Sequence, residues 1–120
     1  MKSTIKNNYE FRRLYSKGKS AYTARMAVYC RKNNSQNNRL GVTVSTKIGK
    51  AVQRNRVRRR FREIYRLNED KTVKGYDIVM VARLRSRYSS YWELNSDYIF
   101  LLKKLGIYLT DDEVFDNSDD

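Results

Sequence analysis

The sequence predicts an α+β domain: one sheet covered by helices, a two-layer sandwich with its elements in the order α-β-β-α-β-α. Three observations predict it. Apolar residues recur at spacings of three and four near both ends and in the middle of the chain, in stretches bounded by capping residues. Three short stretches between them either alternate apolar with polar or are apolar throughout, the patterns of half-covered and fully covered strands. A length of 120 residues suffices for one core and is too little for two.

The first helix covers residues 9–17, capped by Asn7 or Asn8, with Gly18 just past its end. Its Phe11, Leu14 and Tyr15 share one face, while Arg12 and Arg13 point elsewhere. Residues 21–31 read as one strand in which Met26, Val28 and Cys30 alternate with Arg25, Ala27 and Tyr29. The Asn-rich run 33–38 is a loop, read as a hairpin connection to the second strand, residues 40–45, where Leu40, Val42 and Val44 share a face. A long helix spans residues 49–67. Residues 77–83 form the third strand, the most buried because it is apolar on both faces. The last helix opens on a capping box, in which the Ser90 hydroxyl accepts from the Glu93 amide and the Glu93 carboxylate accepts from the Ser90 amide. Tyr91, Leu94, Tyr98, Leu101 and Leu105 then follow at helical spacing, and Gly106 ends the helix.

Composition narrows the function. Lys and Arg number 26 against 13 acids, a net charge of +13, with no histidine and a single cysteine. Those counts exclude a disulfide framework, a Cys/His metal site and catalysis with a histidine base. The lone Cys30 reads as a small strand hydrophobe in a reducing compartment. The longest apolar runs, residues 78–82 and 99–102, fall far short of a membrane span, and the polar start is no signal sequence, so a cytoplasmic protein is expected. Residues 111–120 hold six acids and no base, which leaves +19 on the first 110 residues (26 basic, 7 acidic). So large an imbalance opposes compaction unless a polyanion screens it, and nucleic acid is the usual polyanion. An anionic membrane would call for a basic amphipathic helix with a bulky apolar face, and the termini carry none.

The charge concentrates between Lys47 and Arg66, which hold nine basic residues and one acid, Glu63. On a wheel of about 100° per residue, Val57, Phe61, Ile64 and Tyr65 form an apolar stripe fit to lie on the sheet. Asn55, Arg58, Arg59, Arg62 and Arg66 face outward, and Arg54, Arg56 and Arg60 flank the stripe. Like charges at i, i+4 such as Arg54, Arg58 and Arg62 cost an isolated helix about 0.2–0.5 kcal/mol per pair, a loss that phosphate binding recovers. Seven of the nine bases are arginine, whose planar fork suits phosphate better than an ammonium does.

A helix-turn-helix would need another helix directly before this one, where a strand stands instead, and no heptad zipper is present. A sheet with aromatics beside a basic helix fits RNA or a single strand, because unpaired bases stack on exposed rings. Phe11, Tyr15 and Tyr29 can meet where the first helix crosses the sheet; singly, each reads as core. A small ribosomal or general RNA-binding protein and an autonomous nuclease are the competing classes. For the nuclease, Asp77 and Glu63 are the conceivable magnesium ligands, but neither has an evident carboxylate partner, and paired carboxylates are what that chemistry uses.

The stretch Thr46 to Arg62, Thr-Lys-Ile-Gly-Lys-Ala-Val-Gln-Arg-Asn-Arg-Val-Arg-Arg-Arg-Phe-Arg, follows a Gly-Val-Thr-Val-Ser strand and closely resembles the Arg-Asn-Arg signature of the protein subunit of bacterial ribonuclease P. The resemblance runs from about Tyr9 to Leu105 and takes in Glu10-Phe-Arg-Arg-Leu-Tyr15, Gly18 and the Tyr-Asp-Ile-Val strand. It implies a fold like the second domain of ribosomal protein S5, with a left-handed βαβ crossover where general handedness rules predict a right-handed one. It implies that the catalyst is an RNA with bound Mg2+, which removes the 5′ leader of precursor tRNA, and that no catalytic residue and no metal belongs to the protein alone. The protein, a monomer, would bind that catalytic RNA through Lys50, Arg54, Asn55, Arg56, Arg58, Arg59, Arg62 and Arg66. It would hold the leader in a cleft at Phe11, Arg12, Tyr15 and Tyr29.

Two departures are small: Thr46 stands where a base is common in that family, and Arg58 where lysine is common. The acidic end is the larger departure. Residues 1–110 read as a single RNA-binding domain and 111–120 as a disordered, solubilising tail. The rival reading folds this segment back on the basic helix, where it weakens binding to unrelated RNA.

Overall fold

The computed structural model describes residues 4–109, so the segment 111–120 lies outside the described residues. Four strands, β1 (Lys19–Tyr22), β2 (Met26–Lys32), β3 (Arg39–Thr43) and β4 (Tyr76–Ala82), form one sheet in the order β1-β2-β4-β3. β4 runs antiparallel to β2 and parallel to β3. Ile78, Val79 and Met80 of β4 are fully buried, on both faces, which is why this strand takes an interior place. α1 (Asn8–Lys17) precedes the sheet, α2 (Ala51–Leu67) joins β3 to β4, and α3 (Tyr91–Lys104) follows β4.

Strand alternation sorts the side chains into two cores. On one face Val28, Cys30, Ile78 and Met80 meet Phe61 and Ile64 of α2 and Leu94, Tyr98 and Leu101 of α3. On the other, Tyr29, Val79 and Val81 meet Ile5, Phe11 and Leu14 at α1. The second face is covered only in part, and a hollow bounded by Ser20, Tyr22, Tyr29, Val81 and Arg83 stays open beside α1. Cys30 is 1% exposed, and burial pushes its thiol up to about 11 although Lys19 pulls it the other way. Among the described residues no helix is long and apolar enough to cross a membrane.

The α+β class and all three helices match the sequence reading, and three details differ. The strand expected over residues 21–31 is two strands, paired antiparallel from Lys19 with Cys30 to Tyr22 with Ala27, so the order is α-β-β-β-α-β-α. The reversal carries no Gly, Pro or Asn. Thr23 makes it instead, its amide donating to the Met26 carbonyl at 2.8 Å and its hydroxyl accepting from the Arg25 and Met26 amides. The Asn-rich run is not a hairpin connection, because β4 lies between β2 and β3. It is a crossover, fixed by Asn33 Nδ2 donating to Asp77 and by buried Asn38, which accepts from the Tyr76 amide and donates to the Val73 carbonyl. Asn7 is the N-cap of α1 by position, but only its backbone carbonyl bonds, accepting from the Glu10 and Phe11 amides.

Candidate nucleic-acid interface

α2 is held to the sheet by its apolar stripe, since Val57, Phe61, Ile64 and Tyr65 are all buried. Ahead of it the Lys-Ile-Gly segment makes a short 3-10 turn, Thr46–Ile48, and Gly49 then takes φ 149°, ψ −164°, a conformation open only to glycine. Lys50 is the N-cap, its amide donating to Gln53 Oε1 at 2.7 Å. This entry sets the rotation of the helix and therefore the direction of its arginines.

The nine bases are not equivalent. Arg54 donates to the Gly49 carbonyl at 2.8 Å and Arg60 to the Ser89 carbonyl at 2.7 Å, so both help hold the fold. Arg58 is half-buried, with one nitrogen on Asn55 Oδ1 at 3.0 Å and another 3.5 Å from the Val44 carbonyl. Arg66 pairs with Glu63 at 2.7 Å. Arg56, Arg59 and Arg62 are exposed, and Arg58, Arg59 and Arg62 line one shallow recess with Asn55 and Val52. Exposed guanidinium groups on one helix face supply fixed positive charge and planar donor pairs, the requirements for binding a phosphate backbone.

The three aromatic residues expected in the cleft, Phe11, Tyr15 and Tyr29, gather on the open face of the sheet. The Phe11 and Tyr15 rings are 6.3 Å apart, and Tyr15 meets Tyr29 edge to face at 4.9 Å. The Tyr15 hydroxyl and Thr43 Oγ1 are 2.9 Å apart, which ties the ring to β3. Phe11 lies against Gly41, where an added Cβ would stand 2.7 Å from the ring. Arg12 is exposed on the same helix. Sequence reasoning missed the rest of this floor: Ser20 and Tyr22 of β1, Thr43, Val81, and Arg83, whose guanidinium lies 4.8 Å from the centre of the exposed Tyr22 ring. Alternation places Tyr22 on the Tyr29 face only once the turn at Thr23 is known.

A three-way ion pair fastens α1 over this floor. Arg39 reaches Glu10 of α1 at 2.8 Å and Asp77 of β4 at 2.6 Å. Burial alone would raise the Asp77 carboxyl, but hydrogen bonds from Arg39 and Asn33, with the charges of Arg39 and Arg31, hold it below the usual carboxylate range. Asp77 and Glu63, the two conceivable magnesium ligands, are thus each committed to an arginine. Among the described residues no group of three or more His, Cys, Asp or Glu stands close enough to hold a metal ion.

The two surfaces are neighbours. Phe11 on one side and Arg59 and Arg62 on the other border a single groove of about 590 Å³ over the outer edge of β3.

The family model for ribonuclease P matches residues 1–106. The ribonuclease P protein component of Clostridium botulinum (strain Loch Maree / Type A3) is 50% identical over 105 residues, 87% of this chain and 95% of that one. The corresponding component of Clostridioides difficile (strain 630) is 41% identical over 104 residues, 86% of this chain and 91% of that one. Among solved structures, the RNase P protein of Staphylococcus aureus superposes with a TM-score of 0.82 at 29% identity, covering 90% of this chain and 99% of that one. The RNase P protein from Thermotoga maritima does so with a TM-score of 0.78 at 32% identity, covering 86% and 97%.

Proposed function

The chain belongs to the ribonuclease P protein family, and from that premise we propose how its two surfaces divide the work. As a protein component of ribonuclease P it is an RNA-binding protein of tRNA processing, the partner of the ribonuclease P RNA. In the proposal the outer face of α2, with Lys50, Arg54, Asn55, Arg56, Arg58, Arg59, Arg62 and Arg66, takes the phosphates of the catalytic RNA. Arg56, Arg59 and Arg62 carry most of this contact, since they are exposed, whereas Arg54 and Arg60 are committed to backbone carbonyls. Phe11, Tyr15 and Tyr29, with Arg12 beside them and Tyr22 extending the row, hold the unpaired 5′ leader of precursor tRNA. Rings offer a face to any base, so this floor accepts leaders of differing sequence. Mg2+ and the hydrolysis of the phosphodiester belong to the RNA. The protein works as a monomer in the cytoplasm.

The observation that supports this best is the shared groove: a strand on the aromatic floor and an RNA on the arginine face lie within reach of one another across Phe11. The test incubates precursor tRNA at low Mg2+ with the protein alone, the catalytic RNA alone, and both. Cleavage only with both is expected. Cleavage by the protein alone would favour the nuclease, and no effect of the protein would favour a general RNA binder. Tyr29→Ala should lower the preference for precursor over mature tRNA by about 1–3 kcal/mol at intact assembly.

A further inference from the structure

A helix that only neutralised phosphates would need charge and no cavity, yet the groove beside α2 is roomy and largely apolar. Its 590 Å³ lies within the range of small-ligand sites, roughly 300–1,000 Å³. Ile5, Phe11, Leu40 and Tyr65 form the floor, and Lys6, Arg59, Arg62 and Arg66 stand around it. Among the described residues Glu63 is the one carboxylate at the rim, and it is already paired with Arg66. The groove therefore fits a ligand with a flat apolar body and a negative charge.

The outer edge of β3 supplies a third feature. The Leu40 carbonyl accepts from the Ile5 amide at 2.9 Å, which shows that Leu40 turns its polar groups outward. The Val44 carbonyl, four residues on, is met by Arg58. Between these two points alternation turns the Val42 amide and carbonyl outward as well, into the groove, where no strand among the described residues covers them. An extended residue presents its N–H and C=O side by side, a donor next to an acceptor, and base edges carry the complementary pair.

We propose that the groove over the outer edge of β3 receives one unpaired nucleotide of the catalytic RNA, with the base edge on the Val42 main chain and the phosphate on Arg59 and Arg62. The proposal rests on the ribonuclease P reading above and deepens it: one contact of the assembly reads a base edge, while the rest of the arginine face reads only charge. The catalytic RNA is the source, since Arg59 and Arg62 belong to the helix face assigned to it, and the leader floor lies on the far side of Phe11.

The test uses the holoenzyme reconstituted from the full chain and the catalytic RNA. Base-pairing edges are probed with dimethyl sulfate and a carbodiimide, for the wild type and for Thr4→Trp. Thr4 is exposed at the rim, so the new ring fills the groove while Arg59 and Arg62 remain. One unpaired nucleotide protected by the wild type should regain its reactivity with Thr4→Trp, and assembly should weaken roughly tenfold, with a salt slope shallower by no more than one phosphate, about 0.7–0.9. Should Thr4→Trp fail to fold, as its circular dichroism and melting curve would show, Lys6→Trp enters from the same rim and is read by protection alone. A protection pattern identical in wild type and groove-filled variant overturns the proposal while leaving the parent reading intact, and a groove that serves a peptide or a second copy of the chain gives this same result. Absence of saturable assembly between wild-type protein and catalytic RNA overturns the parent reading, and this one with it.

Discussion

A methyl group at position 41 would stand 2.7 Å from the Phe11 ring, so the absence of a side chain there decides where that ring can lie. Gly41→Ala should push Phe11 off the sheet, lower stability by about 1–3 kcal/mol and reduce discrimination between precursor and mature tRNA. Calorimetry and competitive binding check the two effects separately. The arginines divide in the opposite sense. Arg59→Ala with Arg62→Ala should leave the melting temperature unchanged, weaken assembly with the catalytic RNA, and shallow the salt slope by about 0.7–0.9 for each phosphate no longer neutralised. Arg60→Ala should instead lower the melting temperature, because its guanidinium donates to the Ser89 carbonyl. Helical period alone was enough to lay out the faces of this segment. It was not enough to sort structural from free arginines, since the Gly49 carbonyl meets Arg54 through the local turn before the helix, and Ser89 meets Arg60 only through the folded chain.

At the scale of elements, the ion pair that joins β3 to β4 is pH-dependent. Asp77 is held below the ordinary carboxylate range, so its pairing with Arg39 stabilises the fold at every pH above the unfolded carboxyl value of about 3.9. That stability vanishes as the pH falls through the lower folded value. Melting temperatures should therefore drop on acidification below about pH 4, and Asp77→Asn should be less stable near neutrality and flatten that drop. The capping box of α3 is complete, with the Glu93 amide 3.1 Å from the Ser90 hydroxyl and the Ser90 amide 2.8 Å from the Glu93 carboxylate. Ser90→Ala should cost about 1 kcal/mol by chemical denaturation. Such local signals made the helices legible. The turn at Thr23 was not, because its hydroxyl is anchored to Asp97 at 2.7 Å and the adjacent Arg25 to Glu93 at 2.9 Å, partners 74 and 68 residues away in the chain. The Asn-rich crossover was hidden for the same reason: the strand that separates β2 from β3 comes almost forty residues after it.

For the whole molecule, charge is the governing quantity. Removing residues 111–120 takes away six acids and no base and raises the net charge from +13 to +19. Binding to unrelated RNA at low salt should tighten in response, as filter binding or anisotropy would show. Unchanged affinity would mean that those carboxylates stand clear of both RNA-facing surfaces. A second whole-molecule property follows from Cys30, walled into the core with its thiol well above the pH of any ordinary labelling reaction. The chain is thus already silent toward maleimides and iodoacetamides. A single cysteine introduced on the leader floor or on the arginine face would be the sole point of dye attachment, so spectroscopic rulers can be laid between either surface and a docked tRNA without first engineering a background.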